Sequence, residues 1–148
     1  ELILDQAKKN NVKIFLPTDV VVSKSFSNND KQKEVNIQNI PDGWQGLDIG
    51  AKTRKKFSDV IKQSNTILWN GPMGVFEMPS FQSGTKAIAN AVAEATKNSS
   101  FSLVGGGDSV AAIKKFNLKD KISFISTGGG AMLESLEGKT LPGIKALQ

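Results

Sequence analysis

The 148 residues contain no cysteine, no histidine and no tyrosine. Without cysteine there is neither a disulfide nor a thiolate metal site, a composition compatible with a reducing cytoplasm. Without histidine the chain lacks the side chain that most often serves as general base or metal ligand, and a Ser-His-Asp device is excluded. Any chemistry must be carried by carboxylates, lysines, hydroxyls or the backbone. Long apolar runs are missing too: none approaches the ~20 residues of a membrane span, and no signal-peptide pattern opens the sequence. The expectation is a soluble, cytoplasmic protein with no membrane partner.

Basic residues outnumber acidic ones, 19 to 14, for a net charge of +5. Such a balance suits phosphates or nucleic acid, yet the lysines are spread through "AKKN", "TRKKF", "IKKF" and "LKDK". They form no single stripe with interleaved aromatics and read as solvated helix faces and turns, so no nucleic-acid partner is expected. The length suits one domain, and a chain of this size buries roughly 70% of its unfolded surface. It opens on Glu1 directly inside a helical pattern, "ELILDQAKKN", which looks like a cut within a longer chain.

After that helix, "VKIFL" and "PTDVVVSK" read as strands, "SFSNNDKQKE" as a surface loop and "EVNIQNI" as an edge strand, with "PDGW" a turn. From "GLDIG" onward, apolar runs alternate with helical patterns: "TRKKFSDVIKQS", "TILW", "TKAIANAVAEATKN", "FSLV", "SVAAIKKF", "ISFIS" and "AMLESLEG". This alternation predicts an α/β, three-layer Rossmann-like domain with a mainly parallel sheet. In the longest helical pattern, Ala87, Ile88, Ala91, Val92 and Ala95 form one small-residue face suited to lying close on a sheet.

Two glycine triplets end strand-like runs, at Gly105–Gly107 and Gly128–Gly130. In parallel α/β sheets, ligands bind beyond the carboxyl ends of the strands. A helix N-terminus there offers unpaired N–H groups and a partial positive charge, and glycine lets an anion approach without a Cβ in the way. Asp108, after the first triplet, has two readings: with Ser109 it supplies an ordinary N-cap, or it holds Mg²⁺ beside a bound polyphosphate. The second triplet has no acid at the matching place. It reads as close strand–helix packing or, together with the first loop, as the other side of one anion site. A third stretch, "TILWNGPMGVFE", places Asn70, Gly71, Pro72 and Gly74 in a turn after a strand. Its apolar residues Met73, Val75 and Phe76 either pack beneath the loop or form a wall for a flat ring. Glu77 is either solvated or bonded to a ribose diol.

The ordered motifs "WNGPMGVFE", "VGGGDSVAA" and "STGGGAMLESLEGKTLPGIKAL" resemble the nucleotide-binding half of the phosphoglycerate kinase family. "KIFLPTDVVVSKSF" and "GWQGLDIGAKT" extend that resemblance over almost the whole chain, with Ala51 standing where many members have proline and Ser109 where threonine is frequent. The resemblance implies a carboxyl-terminal nucleotide-binding domain over residues 1–148, incomplete at its amino-terminal side, with 138–148 as a hinge and closing segment. It implies ADP or ATP with Mg²⁺ as nucleotide, and 3-phosphoglycerate or 1,3-bisphosphoglycerate held by an amino-terminal lobe, in a parent enzyme expected to be a monomer. Asp108 is implied as the magnesium-associated carboxylate. Ser109 and the backbone of Gly105, Gly106 and Gly107 are implied at the nucleotide phosphates, with Gly106 and Gly129 at the transferring phosphoryl group. Asn70 is implied near the phosphates, Pro72 and Val75 beside the nucleoside, Glu77 at the ribose, and Gly46 with Leu47 near the adenine. The rival readings are a non-catalytic nucleotide or anion-binding module and, from charge alone, a nucleic-acid-binding domain.

Overall fold

A computed structural model describes residues 2–148. Its first helix, α1 (Leu2–Lys9), buries no residue. The following run, expected as the strand "VKIFL", is not one: residues 12–17 join no ladder, and Val12, Ile14, Phe15 and Leu16 are exposed. β-branched and aromatic content makes a segment ready to pair, but only a neighbour completes a strand.

β1 (Asp19–Ser23) lies at the centre of an antiparallel three-stranded sheet, between β2 (Gln32–Asn36) and β3 (Gln45–Ile49). The expected edge strand starts earlier than its sequence pattern suggests and stops at Asn36, whose side chain accepts the Gln38 N–H at 2.9 Å and turns the chain into a short 3₁₀ helix. The surface loop between β1 and β2 folds on Asp30, whose carboxylate accepts from the Ser25 N–H at 3.0 Å and the Ser25 hydroxyl at 2.8 Å.

The second half is the expected α/β alternation: α2 (Ala51–Lys62), β4 (Thr66–Asn70), α3 (Ser83–Lys97), β5 (Phe101–Gly105), α4 (Gly107–Lys115), β6 (Phe124–Ile125), α5 (Gly129–Leu136) and α6 (Pro142–Lys145). Strands β4, β5 and β6 pair in that order, all parallel, and helices flank this sheet. The core sits here. Ile67 and Trp69 of β4, Val104 of β5, Ile88 and Val92 of α3 and Ile113 of α4 pack in one buried cluster. Of the face expected for α3, Ile88, Ala91, Val92 and Ala95 are buried and Ala87 is half-buried. Small residues at these positions let α3 pack tightly against both β5 and α2.

Candidate functional site

The parallel register sets Asn70 beside Gly105, so β4 and β5 end level with one another. The chain then passes through Gly106, whose φ of 86° and ψ of 137° suit glycine alone. Gly106 is the residue that caps α4, and no side chain makes a capping bond there. The ordinary capping reading of Asp108 and Ser109 is therefore corrected. Asp108 lies exposed in the first helical turn. Ser109 is fully buried, and its hydroxyl accepts the Gly71 N–H at 2.7 Å, fastening α4 to the loop after β4.

The second triplet reaches the same place. The Ser126 N–H bonds Val104 O at 2.8 Å, carrying β6 along β5, and α5 begins at Gly129. A Cβ on Gly129 would lie 2.7 Å from the Gly106 nitrogen and 2.9 Å from its Cα. The two glycine loops are thus in backbone contact, with no room for a side chain between them. Met132 of α5 lies over Gly105, where an added Cβ would come within 2.9 Å of its sulfur. The starts of α4 and α5 meet at the carboxyl ends of the parallel strands, so unpaired N–H groups and positive helix ends gather at one point.

A cleft of about 290 Å³ opens alongside, between β3 and the loop after β4. Gly46, Leu47 and Asp48 line one wall, and Pro72, Met73, Gly74 and Val75 the other. The Val75 N–H donates to Leu47 O at 2.8 Å and ties the walls together. The hydroxyl of Thr85 in α3 receives the N–H groups of Met73 and Gly74 at 3.0 and 3.2 Å. Of the three apolar residues in this turn, Phe76 is buried in the core and Met73 packs against that core, whereas Val75 faces the cleft. Glu77 is exposed and does not line the cleft. Lys115, in the last turn of α4, donates to the carbonyls of Phe76 at 2.6 Å and Glu77 at 3.1 Å.

Two buried carboxylates went unnoticed in the sequence, although each interrupts an apolar strand, in "TDVVV" and "GLDIG". Asp19 of β1 accepts from the Lys52 and Thr53 N–H groups at 2.8 and 2.7 Å and from the Thr53 hydroxyl, capping α2 from another strand. Burial opposes its charge most strongly of any single effect, but these donors together hold the carboxyl below its ordinary range. Asp48 of β3 accepts from the Gly84 N–H at 2.7 Å and the Ile49 N–H at 2.9 Å. There burial prevails over the donors and Arg54 and raises the carboxyl. A folded value above the unfolded one means that Asp48 favours folding at acid pH, and the contribution is lost as pH rises through the folded value.

Among the described residues, no three acidic or histidine side chains cluster as metal ligands, and no helix is long and apolar enough to cross a membrane. Asp108 is thus a single exposed carboxylate in the first turn of α4, where the two glycine loops meet.

The family model for phosphoglycerate kinase matches residues 1–139. The chain is 52% identical over 146 residues to phosphoglycerate kinase of Porphyromonas gingivalis, and 53% identical over 142 residues to that of Nostoc punctiforme. These matches cover 99% and 96% of the chain, but 35% and 36% of the two relatives. Among solved structures, phosphoglycerate kinase from Coxiella burnetii superposes with a TM-score of 0.91 at 44% identity, over 99% of this chain and 37% of that one. The Pyrococcus horikoshii OT3 enzyme gives a TM-score of 0.81 at 36% identity, over 100% of this chain and 35% of that one. The chain spans about a third of the length of these relatives, and by the family match and the fold alike it belongs to the phosphoglycerate kinase family.

Proposed function

We propose that this chain supplies the nucleotide side of a phosphoglycerate kinase, a cytoplasmic glycolytic enzyme that acts as a monomer. The reaction is reversible transfer of a phosphoryl group between 1,3-bisphosphoglycerate and ADP, giving 3-phosphoglycerate and ATP. The observation that supports it best is the contact between the two glycine loops, Gly129 against the Gly106 backbone. Two helix starts on one anion suit a group whose charge is spread over several oxygens during transfer.

Asp108 would be the protein carboxylate that holds Mg²⁺, and the ion would supply neutralisation of the nucleotide's phosphate charge; one protein carboxylate suffices where phosphate oxygens supply most ligands. The Gly105, Gly106 and Gly107 backbone receives the ADP phosphates, and the Gly106 and Gly129 amides stabilise the phosphoryl group in transit. Asn70 stands beside them and, in the family pattern, Ser109 joins this set; its observed bond to Gly71 also fixes the approach of the β4 loop. Gly46, Leu47, Pro72 and Val75 hold the nucleoside in their cleft, and Glu77 reaches the ribose from outside it.

In the forward direction, a β-phosphate oxygen of ADP attacks the acyl-phosphate phosphorus while the bond from phosphorus to the carboxyl oxygen breaks. The electron pair leaves with the carboxylate of 3-phosphoglycerate. Both oxygens are largely ionised at neutral pH, so no side chain need take a proton, which accords with a chain lacking histidine. Catalysis rests on positioning and charge stabilisation. Residues 1–148 act as the carboxyl-terminal nucleotide domain, incomplete at its amino-terminal side, and 138–148 as the segment that closes toward a second lobe holding the phosphoglycerate. Without that lobe the positioning, worth roughly 7–11 kcal/mol of barrier, is lost.

One coupled ATP assay tests this on the full-length enzyme carrying this segment, its Asp108→Asn variant and the 148 residues alone. The full-length enzyme should turn over. Asp108→Asn should lower turnover by about 10²–10³-fold, the scale for losing one preorganised electrostatic partner, with little change in melting temperature. The 148 residues alone should form no ATP. Undiminished turnover of Asp108→Asn at saturating magnesium, or normal turnover by the segment alone, contradicts the reading.

A further inference from the structure

Asp48 is 3% exposed, and nothing in phosphoryl transfer requires a carboxylate at that place. Its charge is a cost to folding at neutral pH, because burial disfavours the ionised form more than its partners favour it. What it contributes is geometry. One oxygen accepts the Gly84 N–H at the start of α3 at 2.7 Å, and the other accepts the Ile49 N–H in β3 at 2.9 Å. Between these bonds the side chain fills the space against Gly74, where a Cβ would lie 2.7 Å from the Asp48 Cα and from its carboxyl carbon. A Cβ on Gly84 would come within 2.9 Å of the same carboxyl carbon.

The loop from Pro72 to Val75 has no helix or strand to hold it. Its place depends on the Leu47 carbonyl, the Thr85 hydroxyl and the packing of Gly74 on Asp48. Thr85 directly follows Gly84, so the bond from Gly84 to Asp48 also fixes where Thr85 sits. A single carboxylate therefore touches the β3 wall of the cleft, the loop that forms the other wall, and the helix start that anchors this loop.

We propose that Asp48 is a positioning residue that sets the separation of the two cleft walls, and thereby the affinity for the nucleoside part of ADP and ATP but not for their phosphates. This rests on the reading of the cleft as the nucleoside site. Asp48 lies apart from the glycine loops, whose mutual contact does not involve it. Disturbing it should change nucleotide affinity and leave the chemical step alone.

The test uses the full-length enzyme carrying this segment, with Mg-ADP as substrate and Mg-pyrophosphate as a competitor that has phosphates and no nucleoside. Asp48→Asn keeps the volume but presents an amide donor to one of two N–H groups. It should raise KM for Mg-ADP about tenfold, the scale of one buried hydrogen bond lost, with kcat and pyrophosphate inhibition within about twofold of wild type. Gly84→Ala displaces the carboxylate, together with the Ile49 side chain beside it, while adding helix propensity, and it should give the same split. It carries the comparison if Asp48→Asn fails to fold. An unchanged KM, or equal losses in KM, kcat and pyrophosphate inhibition, would overturn the role of Asp48. Wild-type enzyme that held Mg-pyrophosphate as tightly as Mg-ADP would instead overturn the nucleoside reading of the cleft.

Discussion

Both glycine triplets join a strand to a helix, the second set one residue further into its helix, yet the structure supports them unequally. In register from the cap, Gly106, Gly107, Asp108 and Ser109 correspond to Gly128, Gly129, Gly130 and Ala131. The first loop follows a five-residue strand and opens α4, which buries Ser109, Ala112 and Ile113. The second follows a two-residue strand and opens α5, which buries nothing. A buried aliphatic side chain contributes roughly 1.5–3 kcal/mol, so α4 is held by its own packing and α5 is not. Where α4 has the Ser109 hydroxyl bonded to Gly71, α5 has an alanine and no such strut. One loop is therefore a fixed platform, and the other is laid on it through Gly129 and Met132.

Substitutions can break this contrast. The largest effect is expected for Gly106→Ala in the full-length enzyme, because the backbone there has φ of 86° and the new methyl would strike the Asn70 side chain. Backbone strain of about 1–3 kcal/mol should appear as a lower melting temperature, together with loss of turnover. Gly129→Ala should separate the two effects. Its methyl meets the Gly106 backbone, so the loops must move apart by a fraction of an ångström to about one, and turnover should fall on the order of 10²-fold. Because α5 buries no residue, calorimetry should show almost no change in stability. A drop in stability equal to that of Gly106→Ala would mean that the second loop is as much a part of the core as the first. Smallest of all should be Gly107→Ala and Gly130→Ala, since a Cβ at either place meets nothing within 4 Å. Each should leave stability unchanged or raise it by up to about 1 kcal/mol through helix propensity. Large losses from either in thermal melts would show that free space is not what distinguishes these positions from Gly129.

Much of this organisation was legible from local pattern. The alternation after "GLDIG" marked the helices and strands of the parallel half from α2 to α5, though not the short α6, and the α3 face was readable because its spacing follows the helical period. The antiparallel half was harder. "VKIFL" has strand composition but no partner, and the strand at Gln32–Asn36 begins inside a run of polar residues that composition assigns to a loop. In the site, the glycines and Asp108 announced themselves by type and place. Thr85, Asp19 and Asp48 did not, because a threonine in a helix or an aspartate in a strand gains meaning only from donors 11 to 36 residues away in the chain.

By itself the sequence determined the chemistry on offer: no histidine, no cysteine, two glycine triplets at strand ends and one aspartate at a helix start. It also determined, through ordered motifs, the family to which the chain belongs. Only the tertiary structure decided that the two triplets touch, that Ser109 serves the neighbouring loop rather than its own helix cap, and that Glu77 stands outside the cleft. The reason is physical. Helix and strand preferences act over a few neighbouring residues, whereas contact and burial depend on chain segments brought together by folding.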